Sequence, residues 1–488
     1  MKVNVKEHLK LSVIYSAVAA VPSLLQVLVQ PFTEGNSRLN ATDFAHIGIA
    51  EMITSLAFTI VLFSMGNAVS RYYYDYTDDR KGYHRMVSSV YSSMLLRGIL
   101  LLGVAFIFRN YIGRLFEQVE LQDFSRYGFA SIVIGINRAV NITAATLYRN
   151  EKRVTAFVIV NISMAVIRTG FQLIGLFFFD MSFLGYVYGS AIGGSLVTIG
   201  ILVYSYRHSG FHYDRGLLTS MFQFAAPLFQ YGLLVWGLTF ADKYFMERFP
   251  SELGIYFTAA NFALGMQIIL QGLQGATQPE IFRYMKEGIK EREEEIKSLS
   301  NMLMAQTQAL IAMTIIPVML FLYLFYETDV RLAYSFISII YIRYLPRTQY
   351  IIFSFVLYYE KKTRFFFYLN IVTLGVNMLL NFLLIPRLLI YGAIIAVLVS
   401  DLIQVAGTYL YAQRVAPIRW NLNKMLYSPL ICVALVIITE LVKDKLGISP
   451  FIPALFSVAI MFIALVFLYR RELRGFADKY LKNRLKAG

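Results

Sequence analysis

Long apolar windows separated by short polar connections run from one end of the chain to the other. A bilayer core is crossed by roughly 20 mostly apolar residues. Windows of that kind fall at about 11–31, 44–67, 87–108, 124–147, 155–178, 183–204, 219–241, 254–275, 300–325, 333–356, 365–386, 390–411, 426–442 and 450–469. The pattern predicts an all-α integral membrane protein with about 14 transmembrane helices. The first window follows a basic start, MKVNVKEHLK, and lacks a small-residue cleavage site, so it reads as a first span that inserts itself rather than a removable signal. The longest connection, 276–299, is charged and helix-prone, with Glu293 and Lys297 at a favourable i,i+4 spacing.

Composition strengthens this reading. Only 15% of the 488 residues are charged and the mean hydropathy is +0.57, against about 25% charged in ordinary soluble domains. Lys and Arg are spread unevenly. The N-terminus, the even-numbered connections and the C-terminus hold thirty, and the odd-numbered connections hold nine. Basic residues mark the cytoplasmic side, so both termini are expected there. The net charge of +15 follows from this bias and from a basic tail over 471–488, expected to lie on anionic lipid headgroups. Nucleic acid is not needed to explain it. The one cysteine, Cys432, sits inside a span and excludes disulfides.

Six basic residues remain inside the spans, all arginine: Arg97, Arg126, Arg138, Arg168, Arg343 and Arg347. Arg126 is near an edge and can snorkel. The other five are deep, where an arginine costs about 2.5–3.5 kcal/mol on insertion scales and cannot shed its proton. Glu51 and Asp401 are the comparable acids. They are candidate partners for Arg97 and Arg168 and, as an alternative to substrate binding, for Arg138, Arg343 and Arg347, or candidate sites for H+ or Na+ coupling. Two acids leave a surplus of positive charge. A guanidinium fork matches phosphate and pyrophosphate bidentately, so an anionic substrate is expected.

The sequence also repeats. RAVNITAATLYRNEKRVTAFVIVNI, from Arg138, aligns without gaps on RTQYIIFSFVLYYEKKTRFFFYLNI, from Arg347. Arg138 meets Arg347, Glu151 meets Glu360, Lys152 meets Lys361 and Asn161 meets Asn370. Farther on, Gly185 meets Gly392 and Arg207 meets Arg414. Spans 4–6 thus match spans 10–12. An even number of spans per copy gives two six-helix bundles related by a pseudo-twofold axis along the membrane normal, followed by two extra helices. The expected divisions are 1–210, 211–415 and 416–470, with the tail at 471–488. Pro346 lies between Arg343 and Arg347 and is expected to kink span 10. No P-loop, HExxH or GxSxG motif is present. His208 and His212 lack further ligands, so no metal or cofactor is expected.

The stretch SMGNAVSRYYYDYTDDR and the stretch FAAPLFQYGLLVWGLTFADKYFMERFPSELGIYFTAANFALGMQIILQGLQGATQP carry a resemblance. The chain resembles the polysaccharide flippases, the lipid-linked-oligosaccharide branch of the multidrug/oligosaccharidyl-lipid/polysaccharide exporter superfamily. That resemblance implies two bundles around a cavity that opens alternately to each side of a bacterial inner membrane. It implies movement of undecaprenyl-pyrophosphate-linked sugars to the periplasmic leaflet for O-antigen, capsule or exopolysaccharide assembly, with polysaccharide polymerase machinery as a candidate partner. It assigns pyrophosphate binding to Arg138, Arg343 and Arg347, with Arg168 and Arg97 as further candidates. A multidrug antiporter of the same superfamily is the first alternative, though span 1 holds no acid. A membrane polymerase or ligase is the second, though the connections are too short for its catalytic loop.

Overall fold

The computed structural model describes residues 5–35, 38–179 and 181–470. The basic tail expected over 471–488 lies outside them. The helices are α1 Val5–Thr33, α2 Ala41–Leu62, α3 Met65–Tyr72, α4 Arg80–Gly113, α5 Val119–Gln122, α6 Gly128–Asn150, α7 Val154–Phe179, α8 Ser182–Ser209, α9 Arg215–Met246, α10 Pro250–Glu287, α11 Glu293–Phe325, α12 Ile337–Tyr341, α13 Tyr344–Tyr359, α14 Arg364–Val415, α15 Ser428–Leu446 and α16 Phe451–Leu468. Among the described residues, eleven helical stretches are long and apolar enough to cross a membrane. The protein is an all-helical, multi-pass membrane protein.

Four expected spans take unexpected forms. The second is interrupted: Phe63 and Ser64 adopt left-handed backbone angles (φ 48° and 55°) between α2 and α3. The tenth is broken into a 3-10 turn over Asp329–Phe336, α12 and α13. Its break falls at Ile342–Arg343, which places Pro346 in the first turn of α13, where a missing N–H is harmless. The eleventh and twelfth run together as α14. Its 52 residues would extend about 78 Å if straight, far beyond a core of about 30 Å. The helix instead reverses at Leu389 (φ 50°, ψ −125°). Asn377 then donates to Ser400 Oγ at 3.0 Å, so the two arms lie antiparallel.

Packing divides the chain into two compact units: Met1–Phe257 with Glu327–Asp329, and Thr258–Tyr326 with Val330–Gly488. The first unit therefore reaches beyond the repeat boundary expected at 210/211. The reason is α9. Its Trp236 Nε1 donates to the Met52 carbonyl at 3.1 Å, and its Phe229 stacks on Phe63 at 4.2 Å. The core of the first unit gathers Val61, Met65, Met86, Val90, Tyr91 and Met94 against α6.

Small residues let helices touch where backbones must approach closely. On α8, Gly185, Gly189 and Gly193 are spaced by four and face α7. A side chain at Gly185 would strike the Gly175 carbonyl, and one at Gly189 the Phe171 carbonyl. In the second unit a side chain at Gly392 would meet the Leu384 carbonyl at 2.6 Å. The residue pairs 185/392 and 175/384 follow the offsets of the sequence repeat, so both copies make the same helix contact. Gly185→Val is expected to cost about 1–3 kcal/mol through overpacking. The check is a lower thermal unfolding midpoint of the detergent-solubilised protein; an unchanged midpoint refutes the close contact.

Candidate functional site

Within the first unit, Glu51 of α2 faces Arg138 of α6. Apolar neighbours fix both helices, and Gly135 lets them close: its Cα hydrogen side meets Ala57 and the Thr54 carbonyl at 2.7 Å from a built Cβ. Arg138 grips the carboxylate with both ends of its fork, Nη1 to Oε1 at 2.6 Å and Nη2 to Oε2 at 3.0 Å. The pair is half-buried, with 27% and 31% of the side chains exposed. Arg168 of α7 is close enough to act on both members, and its Nε is buried without a hydrogen-bond partner among the described residues. Tyr186 of α8, whose hydroxyl accepts from Gln26 Nε2 at 2.6 Å, also neighbours Arg168. Two guanidiniums thus stand around one carboxylate, and Lys243, itself paired with Asp242, acts on it more weakly.

The second unit builds a similar cluster from different positions. Arg343 Nε meets Asp401 Oδ2 at 3.2 Å, and Asp401 is buried. Arg347 donates to Gln404 Oε1 at 3.1 Å and lies over the Tyr350 ring. Gln404 in turn donates to Asn370 Oδ1 at 2.8 Å. Again there are two guanidiniums and one carboxylate. Arg138 and Arg347, equivalent in the repeat, differ in partner: an acid for the first, an amide for the second. The acids pair with Arg138 and Arg343, not with Arg97 and Arg168.

Arg97 has a different task. The break at Phe63–Ser64 leaves the Val61 carbonyl without its helical donor, and Arg97 supplies two, Nε at 2.9 Å and Nη2 at 2.7 Å. Its guanidinium also lies over the Phe63 and Phe222 rings. This is a cap for a broken helix, built from a cation and backbone oxygen.

Other polar groups were not singled out by sequence reasoning. At the end of α9, buried Asp242 accepts from Tyr256 Oη at 2.5 Å and contacts Lys243 Nζ at 3.5 Å. On α15, buried Glu440 pairs with Lys443. Two further glutamates work as latches. Glu34, just past α1, accepts from the Glu327 and Thr328 amides at 2.9 and 2.6 Å and from the Thr328 hydroxyl. Glu247, just past α9, accepts from the Glu117 and Gln118 amides at 3.2 and 2.7 Å. Carried back from Arg138, the repeat offset brings 117–118 to within one residue of 327–328 and 34 to within four residues of 247. Each latch therefore joins the first helix of one copy to a connection of the other. Burial pushes the Glu247 carboxyl above the usual carboxylate range, although both amides favour its ionised form.

Many membrane-crossing helices, two compact units and charge clusters held by facing helices describe a membrane transporter's fold. A family profile described as "Polysaccharide biosynthesis protein" matches residues 37–336, and the chain belongs to that family. Solved structures share the fold. The lipid II flippase MurJ in an inward closed conformation is 12% identical, with a TM-score of 0.69 over 95% of this chain and 100% of that one. An inward-facing multidrug resistance transporter of the MATE family is 12% identical, with a TM-score of 0.66 over 83% of this chain and 95% of that one. A superfamily transporter from Pyrococcus furiosus is 13% identical, with a TM-score of 0.56 over 84% and 96%. Among curated proteins none matches the sequence. The fold is shared with a lipid II flippase and with transporters of the MOP superfamily.

Proposed function

We propose that the protein moves undecaprenyl-pyrophosphate-linked oligosaccharides from the cytoplasmic to the periplasmic leaflet of a bacterial inner membrane, by alternating access, for O-antigen, capsule or exopolysaccharide assembly. Both termini lie on the cytoplasmic side in this reading. The observation that carries it is the charge balance of the two clusters. Each sets two guanidiniums against one carboxylate, and Glu51, Arg138, Arg168 and Asp401 lie on helices long and apolar enough to cross a membrane. Structural pairing alone needs one arginine per acid. The second arginine, Arg168 in one unit and Arg347 in the other, is then the one that meets a substrate phosphate, while Glu51 and Asp401 hold Arg138 and Arg343 in place. A coupling role for these acids requires them to exchange an arginine for H+ or Na+ during the cycle.

The test is complementation of a host that lacks its own lipid-linked-oligosaccharide flippase. Arg168→Ala and Arg347→Ala are expected to insert normally and to lower surface polysaccharide roughly tenfold or more, the effect of losing one charge-assisted contact. Lysine at either position restores little, because it lacks the fork. Wild-type polysaccharide from both alanine variants overturns the site. Protection of a pump-deleted host from cationic drugs, without any polysaccharide, favours the multidrug alternative.

A further inference from the structure

We propose that a cavity on the first unit, at the turn joining α6 to α7, binds one anionic diacyl phospholipid. The cavity is about 830 Å3, within the range of small-molecule sites, and stands apart from the Glu51 cluster. Its mouth is polar. Lys152 is exposed at a left-handed turn position (φ 57°). Arg153 is held in place by Tyr204 Oη at 2.8 Å, by Glu151 at 3.3 Å and by the Tyr148 and Tyr204 rings. Against Glu151, these two cations leave a single positive charge, which matches the single negative charge of a phosphodiester. Below the mouth the walls are apolar, reaching Ile167 on α7 and Ile201 on α8. Ile167 is 14 residues beyond Arg153, about 21 Å along the helix, enough to line an acyl chain through half a core of about 30 Å. The turn lies in an even-numbered connection, expected on the cytoplasmic face, where anionic lipids concentrate.

The repeat supplies an internal control. The turn itself is duplicated: Lys361 also has φ 57°, and the Lys362 amide donates to Leu357 as the Arg153 amide donates to Tyr148, both at 2.8 Å. Among the described residues, side chains occupy the equivalent space in the second copy. Where the first copy has Ala156, the second has Phe365, stacked on Tyr411 with ring centres 4.3 Å apart. Tyr411 is the counterpart of Tyr204. Over Gly200 a built Cβ meets nothing within 4 Å, whereas over its counterpart Gly407 it meets Leu369 at 2.7 Å. One copy fills this space with its own side chains, and the other leaves it open beneath a cationic mouth. This proposal does not depend on what the protein transports.

The experiment places the full-length protein in nanodiscs with phosphatidylglycerol carrying a photoreactive acyl chain, and maps labelled peptides. Labelling is expected on α7 and α8 of the first unit, exceeding that on residues 364–415, and exceeding that from a phosphatidylcholine probe. Ala156→Phe, which copies the filled arrangement, is expected to reduce it to the level of the second copy. Lys152→Asn, which removes the charge at a position where asparagine tolerates φ > 0, is expected to weaken phosphatidylglycerol retention roughly fivefold, the effect of one basic residue near an anionic surface. Equal labelling by the two lipids, or labelling unchanged in both variants, overturns the proposal. Stronger labelling by a polyprenyl-phosphate probe also overturns it, in favour of a second place for lipid-linked substrate.

Discussion

Glu51→Ala is expected to destabilise the protein by about 3 kcal/mol. Removing one member of a buried ion pair costs about 3–5 kcal/mol because the other charge is stranded. Here about a quarter to a third of each side chain remains exposed, which favours the lower end. The stranded Arg138 would also face Arg168 with no carboxylate between them. The readout is thermal unfolding in detergent, with a fall of several degrees. The paired variant Glu51→Leu/Arg138→Leu is expected to recover most of that loss, since apolar groups of similar size replace buried pairs at little cost. The double variant also separates two roles for Arg138. If the arginine serves only Glu51, the recovered protein supports polysaccharide export. If it also meets substrate, the protein is stable and export stays low. A single variant as stable as the parent refutes the pairing.

The second large effect is expected at the latches. Each carboxylate holds two backbone amides, and a hydrogen bond to a charged group contributes about 1.5–3 kcal/mol. Glu34→Ala is expected to speed hydrogen exchange at the 327 and 328 amides by roughly 10- to 100-fold, and Glu247→Ala to do so at 117 and 118. The double variant reports whether the latches open together. Independent latches give effects that add, whereas coupled ones give a double variant that differs from the sum. A cysteine at 327, reacted with a water-soluble maleimide, offers a second readout with little background, because Cys432 is buried. Unchanged exchange at all four amides shows that the latches hold nothing.

Much of this architecture is legible in the sequence because membrane spans declare themselves by length and hydropathy. The deep arginines are equally plain, since nothing else in an apolar window carries a permanent charge. Their partners are not plain. Arg138 meets an acid 87 residues away, and only helix packing decides that Glu51, rather than Asp401, is the nearer one. Arg97 is harder still: its partner is a carbonyl freed by a helix break at Phe63–Ser64, residues that give no turn signal and ordinarily avoid φ > 0. Glu34 and Glu247 sit in polar connections, where a glutamate attracts no notice until its amide donors are seen. Asp242 lies at the edge of an apolar window and reads as a boundary residue. The repeat is visible in the residues, but the packing of α9 on α2 is not, because sequence similarity records ancestry whereas compact units record contact.

Leu389 has a practical consequence. A reversal made by one residue leaves no slack between the arms of α14, and the Asn377–Ser400 bond closes them twelve residues before and eleven residues after it. An epitope or fluorescent fusion inserted there has to prise the hairpin apart. The turn between α10 and α11 is looser: Gly288, at φ 127°, leads into an exposed stretch from Lys290 to Arg292 flanked by surface ion pairs. Reporters meant to map which side of the membrane each connection occupies belong at 290–291, and a fusion at 389 that inactivates the protein says nothing about sidedness.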